Sequence, residues 1–159
     1  LLAAAGMSPG AVVEHKGLAF TWPDVVVGEP NSVVAQGQTV ALSGSGTRLG
    51  VLGAASGGKA SGVGTVHYSD GTTSSFTLTL GDWWNGPIAG NDAVASMPYV
   101  NSQGIGGRER GQRQHAVYVF YTEVPVTDGK QVAAVTLPTG GTVGSSSVSG
   151  MHIFALSVG

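Results

Sequence analysis

The chain has 159 residues, with 7 Lys and Arg against 9 Asp and Glu and a formal charge of −2. So few and so balanced charges exclude a phosphate-backbone binder, which needs clustered cations to release counterions. The lack of cysteine excludes disulfides and thiolate metal sites, and no apolar run approaches the ~20 residues of a membrane-spanning helix.

The length suits one domain, residues 1–159, with a real core. Hydrophobic residues make up 42% of the chain, so its 27 glycines do not mark a disordered linker. They separate short runs of Val, Thr and aromatic residues, the pattern of many strands joined by turns. The chain begins at Leu1 without Met or a signal peptide, which reads as a piece of a longer precursor.

Leu1 to Ala5 can form one helical turn before Gly6 and Ser8-Pro9-Gly10 end it. Ala11 to Lys16 and Leu18 to Trp22 read as strands joined at Gly17, with Leu18, Phe20 and Trp22 on one buried face. Pro23-Asp24 stops the second, and Val25 to Ser32 reads as an irregular connection. Gln38 to Leu42 is a predicted strand, Ser43-Gly44-Ser45-Gly46 a turn, and Thr47 to Ala54 a strand whose Gly50 and Gly53 mark close backbone approach or bulges.

Gly62 to Ser69 and Thr73 to Leu80 form a hairpin about Asp70-Gly71, with Val66, Tyr68, Phe76, Leu78 and Leu80 facing inward. Pro87 to Ser96 has no clear period, Met97 to Val100 is extended, and Asn101 to Gln114 reads as a long polar loop. Within that loop Arg108, Arg110 and Arg113 surround Glu109, a solvated cluster. His115 to Glu123 is the strongest predicted strand, apolar on both faces. Lys130 to Leu137 and Met151 to Val158 complete nine or ten strands without a long helix. That predicts an all-β fold: a two-sheet antiparallel β-sandwich of jelly-roll type.

Several catalytic patterns fail on inspection. Gly53 to Ala60 comes within one residue of a phosphate-binding loop, but Ala60 replaces the Ser or Thr and a strand follows where a helix is required. No Gly-x-Ser-x-Gly elbow occurs. His15, His67, His115 and His152 all fall in predicted strands, where a sheet role is expected. The carboxylates Asp24, Asp70 and Asp82 sit at turns or strand ends, where Asp caps its own backbone. No catalytic residue is therefore assigned. Oxygen ligands from Asp82, Asn91 and Asp92 suit structural calcium, although no ordered ligand spacing is present. No other cofactor is expected.

Where the 73–80 alternation ends, Asp82-Trp83-Trp84-Asn85 precedes Gly86-Pro87. Flat rings beside amide and carboxylate groups are the components of a carbohydrate site. Neighbouring strand residues point to opposite faces, so one tryptophan can be core and the other exposed. Trp84, with Tyr99 as a second ring, is the expected stacking surface, and Asp82 and Asn85 the orienting groups.

The pieces Leu2 to Gly10, Phe20 to Asp24, Arg48 to Ala54, Val66 to Gly71, Asp82-Trp83, Pro98-Tyr99, Tyr118 to Phe120, Lys130 to Pro138 and His152 to Ala155 resemble a module of other proteins. It is the accessory β-sandwich, galactose-binding-like, of secreted actinobacterial multidomain glycoside hydrolases, including family 92 α-mannosidase-type proteins. The resemblance implies an extracellular or cell-surface module, non-catalytic in itself. Its partners would be a glycan and neighbouring domains of the same polypeptide, with no nucleic acid and no membrane insertion. Within that pattern Trp83 looks structural, and Trp84 departs from the smaller residue expected after it. The alternatives are a structural spacer or protein-interaction sandwich without a sugar site, and a stand-alone hydrolase.

Overall fold

A computed structural model describes residues 1–26, 28–103, 110–139, 142–143 and 148–159. Arg108 and Glu109 of the basic cluster lie outside these. After a short 3₁₀ turn, Ala3–Ala5, closed by Gly6 in the left-handed region, the strands follow in order. They are β1 (Val12–His15), β2 (Leu18–Thr21), β3 (Val33–Val34), β4 (Thr39–Ser45), β5 (Arg48–Ser56), β6 (Ala60–Tyr68), β7 (Thr73–Leu80), β8 (Asp92–Gln103), β9 (Arg110–Pro125), β10 (Gln131–Thr136), β11 (Thr142–Val143) and β12 (Val148–Val158). Ten of these twelve described strands are longer than two residues, in line with the nine or ten predicted.

Two antiparallel sheets face each other. One has the order β4-β10-β6-β7, and the other β11-β12-β5-β9-β8 with β3 beside β12. Between them lies the main core, to which β6 and β7 send Val66, Phe76 and Leu78, and β5 and β9 send Leu49, Val51 and Phe120. Because side chains alternate, β5 and β9 also bury Leu52 and Tyr121 on the outward face of the larger sheet. The two-stranded β1-β2 ribbon covers that face with Leu18 and Phe20. Trp22, just beyond β2, joins Met7, Ala95, Met97, Val117 and Val119 in a third cluster. The expected inward face of Leu18, Phe20 and Trp22 is thus present, as a third layer on the sandwich.

The β1-β2 connection is a two-residue turn with positive φ at both Lys16 (47°) and Gly17 (76°), the geometry that matches strand twist. The turn around Asp70 is longer. Only Gly71 has positive φ there, and the Asp70 carboxylate accepts bonds from the amide and hydroxyl of Thr72.

Three predicted boundaries are corrected. Ser43-Gly44-Ser45 is not a turn but the end of β4, where Gly44 leaves room for Val158: a Cβ there would lie 3.1 Å from the Val158 Cβ. The stretch from Asp92 is strand, its period masked by bulges between Ala93 and Ala95 and between Met97 and Tyr99. The expected loop 101–114 is in its described part a continuation of β8 and β9, paired from Tyr99–Gln114 out to Gln103–Arg110.

Candidate functional site

The segment 81–85 is pinned to the edge of β5. Ala55 donates its N–H to Gly81 O and accepts from Trp83 N, each at 2.8 Å, a parallel bridge of one residue. Asp82, 7% exposed, then turns its carboxylate inward. Oδ2 accepts from Gly58 N at 2.6 Å and Oδ1 from Trp84 N at 2.8 Å. The second of these is the bond an Asp makes to its own backbone two residues on. Asp82 therefore shapes this corner and does not reach outward to orient a ligand.

The two tryptophans meet edge to face, with centroids 5.5 Å apart. Trp83 is half-buried and packs against the main core and the Met7–Trp22 cluster together. Trp84, also half-buried, lies parallel to the His115 imidazole, centroids 3.7 Å apart and planes within 10°. The same imidazole donates from Nε2 to Trp84 O at 2.8 Å, which fixes its tautomer. Arg113 places its guanidinium carbon 4.5 Å from the Trp84 ring centroid, and Asn85 beside it is exposed. The indole of this shelf is thus partly exposed, with an imidazole stacked on it and a guanidinium over it.

On the outward face of the larger sheet, beside the β1-β2 ribbon, lies a cavity of about 690 Å³. Its walls include Met7, Trp22, Met97, Val117, Val119 and Phe154, with Trp22 and Phe154 stacked at 4.8 Å. Leu1, Leu2, Val25 and Val26 line it as well. Among the residues expected to bind a ligand, Trp83 and Tyr99 line this cavity; Asp82, Trp84 and Asn85 are not among its described lining residues. The expected single site therefore divides into a shelf at Trp84 and a hollow reached by Trp83 and Tyr99. His152 stands on the cavity wall, its Nε2 2.9 Å from Ser56 Oγ and its Nδ1 3.3 Å from Ser32 Oγ. Burial holds its pKa below the ordinary histidine value.

Residues 2–158 match the model of the AziU2-like beta-sandwich domain family. The chain belongs to that family. No curated protein matches it. The description of the AziU2-like family carries the β-sandwich of the resemblance drawn from the sequence, and nothing of glycoside hydrolases.

In this AziU2-like sandwich the three groups expected to hold calcium each have partners within the chain. Asp82 is engaged as above. Asn91, 6% exposed, accepts from Gly81 N at 2.8 Å and donates to Thr79 O at 3.1 Å. Asp92 takes Lys16 Nζ at 2.6 Å and His15 Nε2 at 3.4 Å, tying the β1-β2 turn to β8. Among the described residues no group of three or more His, Asp or Glu is placed to hold a metal ion. The histidines are dispersed: His15 at Asp92, His67 at Thr136 Oγ1 (2.7 Å), His115 at Trp84 O and His152 at its two serines. A serine rather than a carboxylate stands at Nδ1 of His152, so no anion there stabilises an imidazolium.

The cavity and the Trp84–His115 stack were not legible in the sequence. The cavity draws on the N-terminal segment, residues 22–26 and 28–32, β5, β8, β9 and β12, and only the closed fold assembles them. His115 gave no local signal beyond its strand.

Proposed function

We propose that the chain is a non-catalytic, carbohydrate-binding-like accessory module. In this reading it is extracellular or at the cell surface and is carried by a secreted bacterial glycoside hydrolase that it holds on glycan. The observation that carries the reading is the Trp84 shelf. An indole already fixed by His115 loses little freedom when a sugar ring stacks on it, so more of the contact energy appears as affinity. The exposed Asn85, next to Trp84 in the chain, and the exposed Arg113, whose guanidinium lies over the ring and has to yield to a stacking sugar, supply hydrogen-bonding groups for hydroxyls. Asp82 serves by holding the Trp84 amide, and Tyr99 belongs to the cavity instead.

Three histidines stand apart from any nucleophile, and the fourth, His152 between Ser56 and Ser32, has no carboxylate at Nδ1, which supports a non-catalytic role. A second reading, a spacer or protein-interaction sandwich, is favoured by the internal engagement of Asp82. Affinity electrophoresis over a broad set of polysaccharides separates the two. The glycan reading expects retardation on at least one polymer, lost in Trp84→Ala while circular dichroism and melting temperature hold. A folded native chain retarded by none of them leaves the spacer.

A further inference from the structure

The cavity under the N-terminal segment is a second feature, independent of the Trp84 shelf. At about 690 Å³ it falls within the ~300–1,000 Å³ of small-molecule sites. Its inner wall is built from buried apolar side chains, Met7, Trp22, Met97, Val117 and Val119. Its rim holds two of the five exposed large hydrophobic residues among those described, Leu1 at 39% and Val26 at 73%. Apolar side chains left in water at the mouth of an apolar hollow are the surface that an entering ligand would cover.

The polar side chains of the lining other than Glu29 are uncharged in character: the hydroxyls of Ser32, Ser56, Tyr99 and Tyr118, the amides of Asn31 and Asn101, and an imidazole whose burial favours the neutral form. Glu29 is the one acidic side chain among the described lining residues, and no Lys or Arg is among them. A carboxylate or phosphate head group at the Ser32–His152–Ser56 group would meet no Lys or Arg side chain among the described lining residues and would share the hollow with Glu29, the Leu1 α-amino group being the cation that the lining does include, whereas an uncharged head avoids the cost of desolvating a charge.

We propose that this cavity binds a neutral amphiphile, with an aliphatic or aromatic body against the Met97–Val117–Val119 wall and a hydroxyl, ester or amide head hydrogen-bonded to the Ser32–His152–Ser56 group. The site is separate from the proposed glycan shelf, and each stands or falls without the other.

The test titrates the chain with N-phenyl-1-naphthylamine, a neutral probe that fluoresces in apolar surroundings. Bound probe is then displaced with 1-monolauroylglycerol or with laurate, both below their aggregation concentrations. The expected result is saturable binding, with the glyceride displacing the probe at roughly a tenth of the laurate concentration or less. Val117→Phe, which fills the hollow, is expected to abolish probe binding at a retained melting transition. Glu29→Lys, on an exposed side chain that leaves folding alone, is expected to narrow the gap between glyceride and laurate at least several-fold. Trp84→Ala should bind the probe as the native chain does. No binding by the folded chain overturns the proposal, as does unchanged binding in folded Val117→Phe. Equal displacement by laurate, or a gap unmoved by Glu29→Lys, overturns the neutral head. Should Val117→Phe fail to fold, the Glu29→Lys result decides.

Discussion

Trp84 and His115 form a two-point clasp: their rings stack at 3.7 Å, and the imidazole Nε2 donates to the Trp84 carbonyl at 2.8 Å. The stack orients the indole side chain, and the hydrogen bond anchors the backbone that carries it. One β9 residue thus fixes a corner that lies 31 positions earlier in the chain.

Removal of the imidazole should release both at once. His115→Ala is expected to cost about 1–2 kcal/mol in urea unfolding, the sum of one hydrogen bond and one ring contact. It should also shift tryptophan emission to longer wavelength as Trp84 gains water. His115→Phe keeps a ring and loses the donor, so it should restore much of the emission and less of the stability. Native emission in His115→Ala would show that the corner holds Trp84 without the clasp.

Asp82 should matter more for stability than for recognition. Its carboxylate accepts from the amides of Gly58 and Trp84, and truncation leaves both donors without it. Asp82→Ala is expected to lose about 2–3 kcal/mol, and Asp82→Asn, which keeps one acceptor oxygen, about half of that. Equilibrium denaturation measures both. A calcium-ligand role would instead make the native protein's melting temperature fall on treatment with chelator, and the internal bonds of Asp82 predict no fall.

What the sequence conveyed was local periodicity. Phe76, Leu78 and Leu80 are buried and Thr77 is exposed as their alternation required, and Val66 and Tyr68 of the paired strand are buried opposite. Periodicity failed where the ladder slips. The two β8 bulges break the alternation of this twelve-residue strand, so that its start up to Ser96 showed no period and only Met97 to Val100 read as extended. It failed again at Gly44, where glycine answers to the packing of Val158 and not to a turn. At the site, Asp82 resembled a ligand because side-chain identity does not reveal direction, although an Asp two residues before the amide it caps was a usable signal.

Gly50 shows the converse, a glycine whose meaning the sequence did convey. A Cβ at that position would sit 2.5 Å from Leu18 Cδ1 and 2.8 Å from Phe20 Cζ, so the ribbon rests directly on the β5 backbone. Gly50→Ala is expected to destabilise by about 1–3 kcal/mol through overpacking. Hydrogen exchange should quicken in Val12–Thr21 with little change in β6 and β7. Because the nearest clash is with a side chain, Gly50→Ala combined with Leu18→Ala should lose less than the sum of the two single changes.

The pH profile of stability should be bounded on both sides by identifiable groups. Burial depresses the His152 pKa, so below the unfolded value of about 6.5 the unfolded chain takes up the proton first and stability falls with acidification. Asp92, held down by Lys16 and then His15, and Glu123, held down by the Tyr121 hydroxyl, act in the same direction at lower pH. Their contribution is present above the ordinary carboxylate range and is lost as pH falls through it. On the alkaline side, burial and then the Glu123 carboxylate push the Tyr121 pKa up to about 12. Its contribution is full below the unfolded value of about 10 and disappears as pH rises from there towards the folded value. Calorimetric melting temperatures should therefore be highest between about pH 7 and 9. His152→Gln should flatten the first part of the acid limb, just below pH 6.5, and leave the lower part intact. Tyr121→Phe should remove the alkaline fall that sets in at about pH 10. An acid limb unchanged in His152→Gln would mean that the imidazole charges as readily in the fold as in water, and that the cavity wall around it is wet.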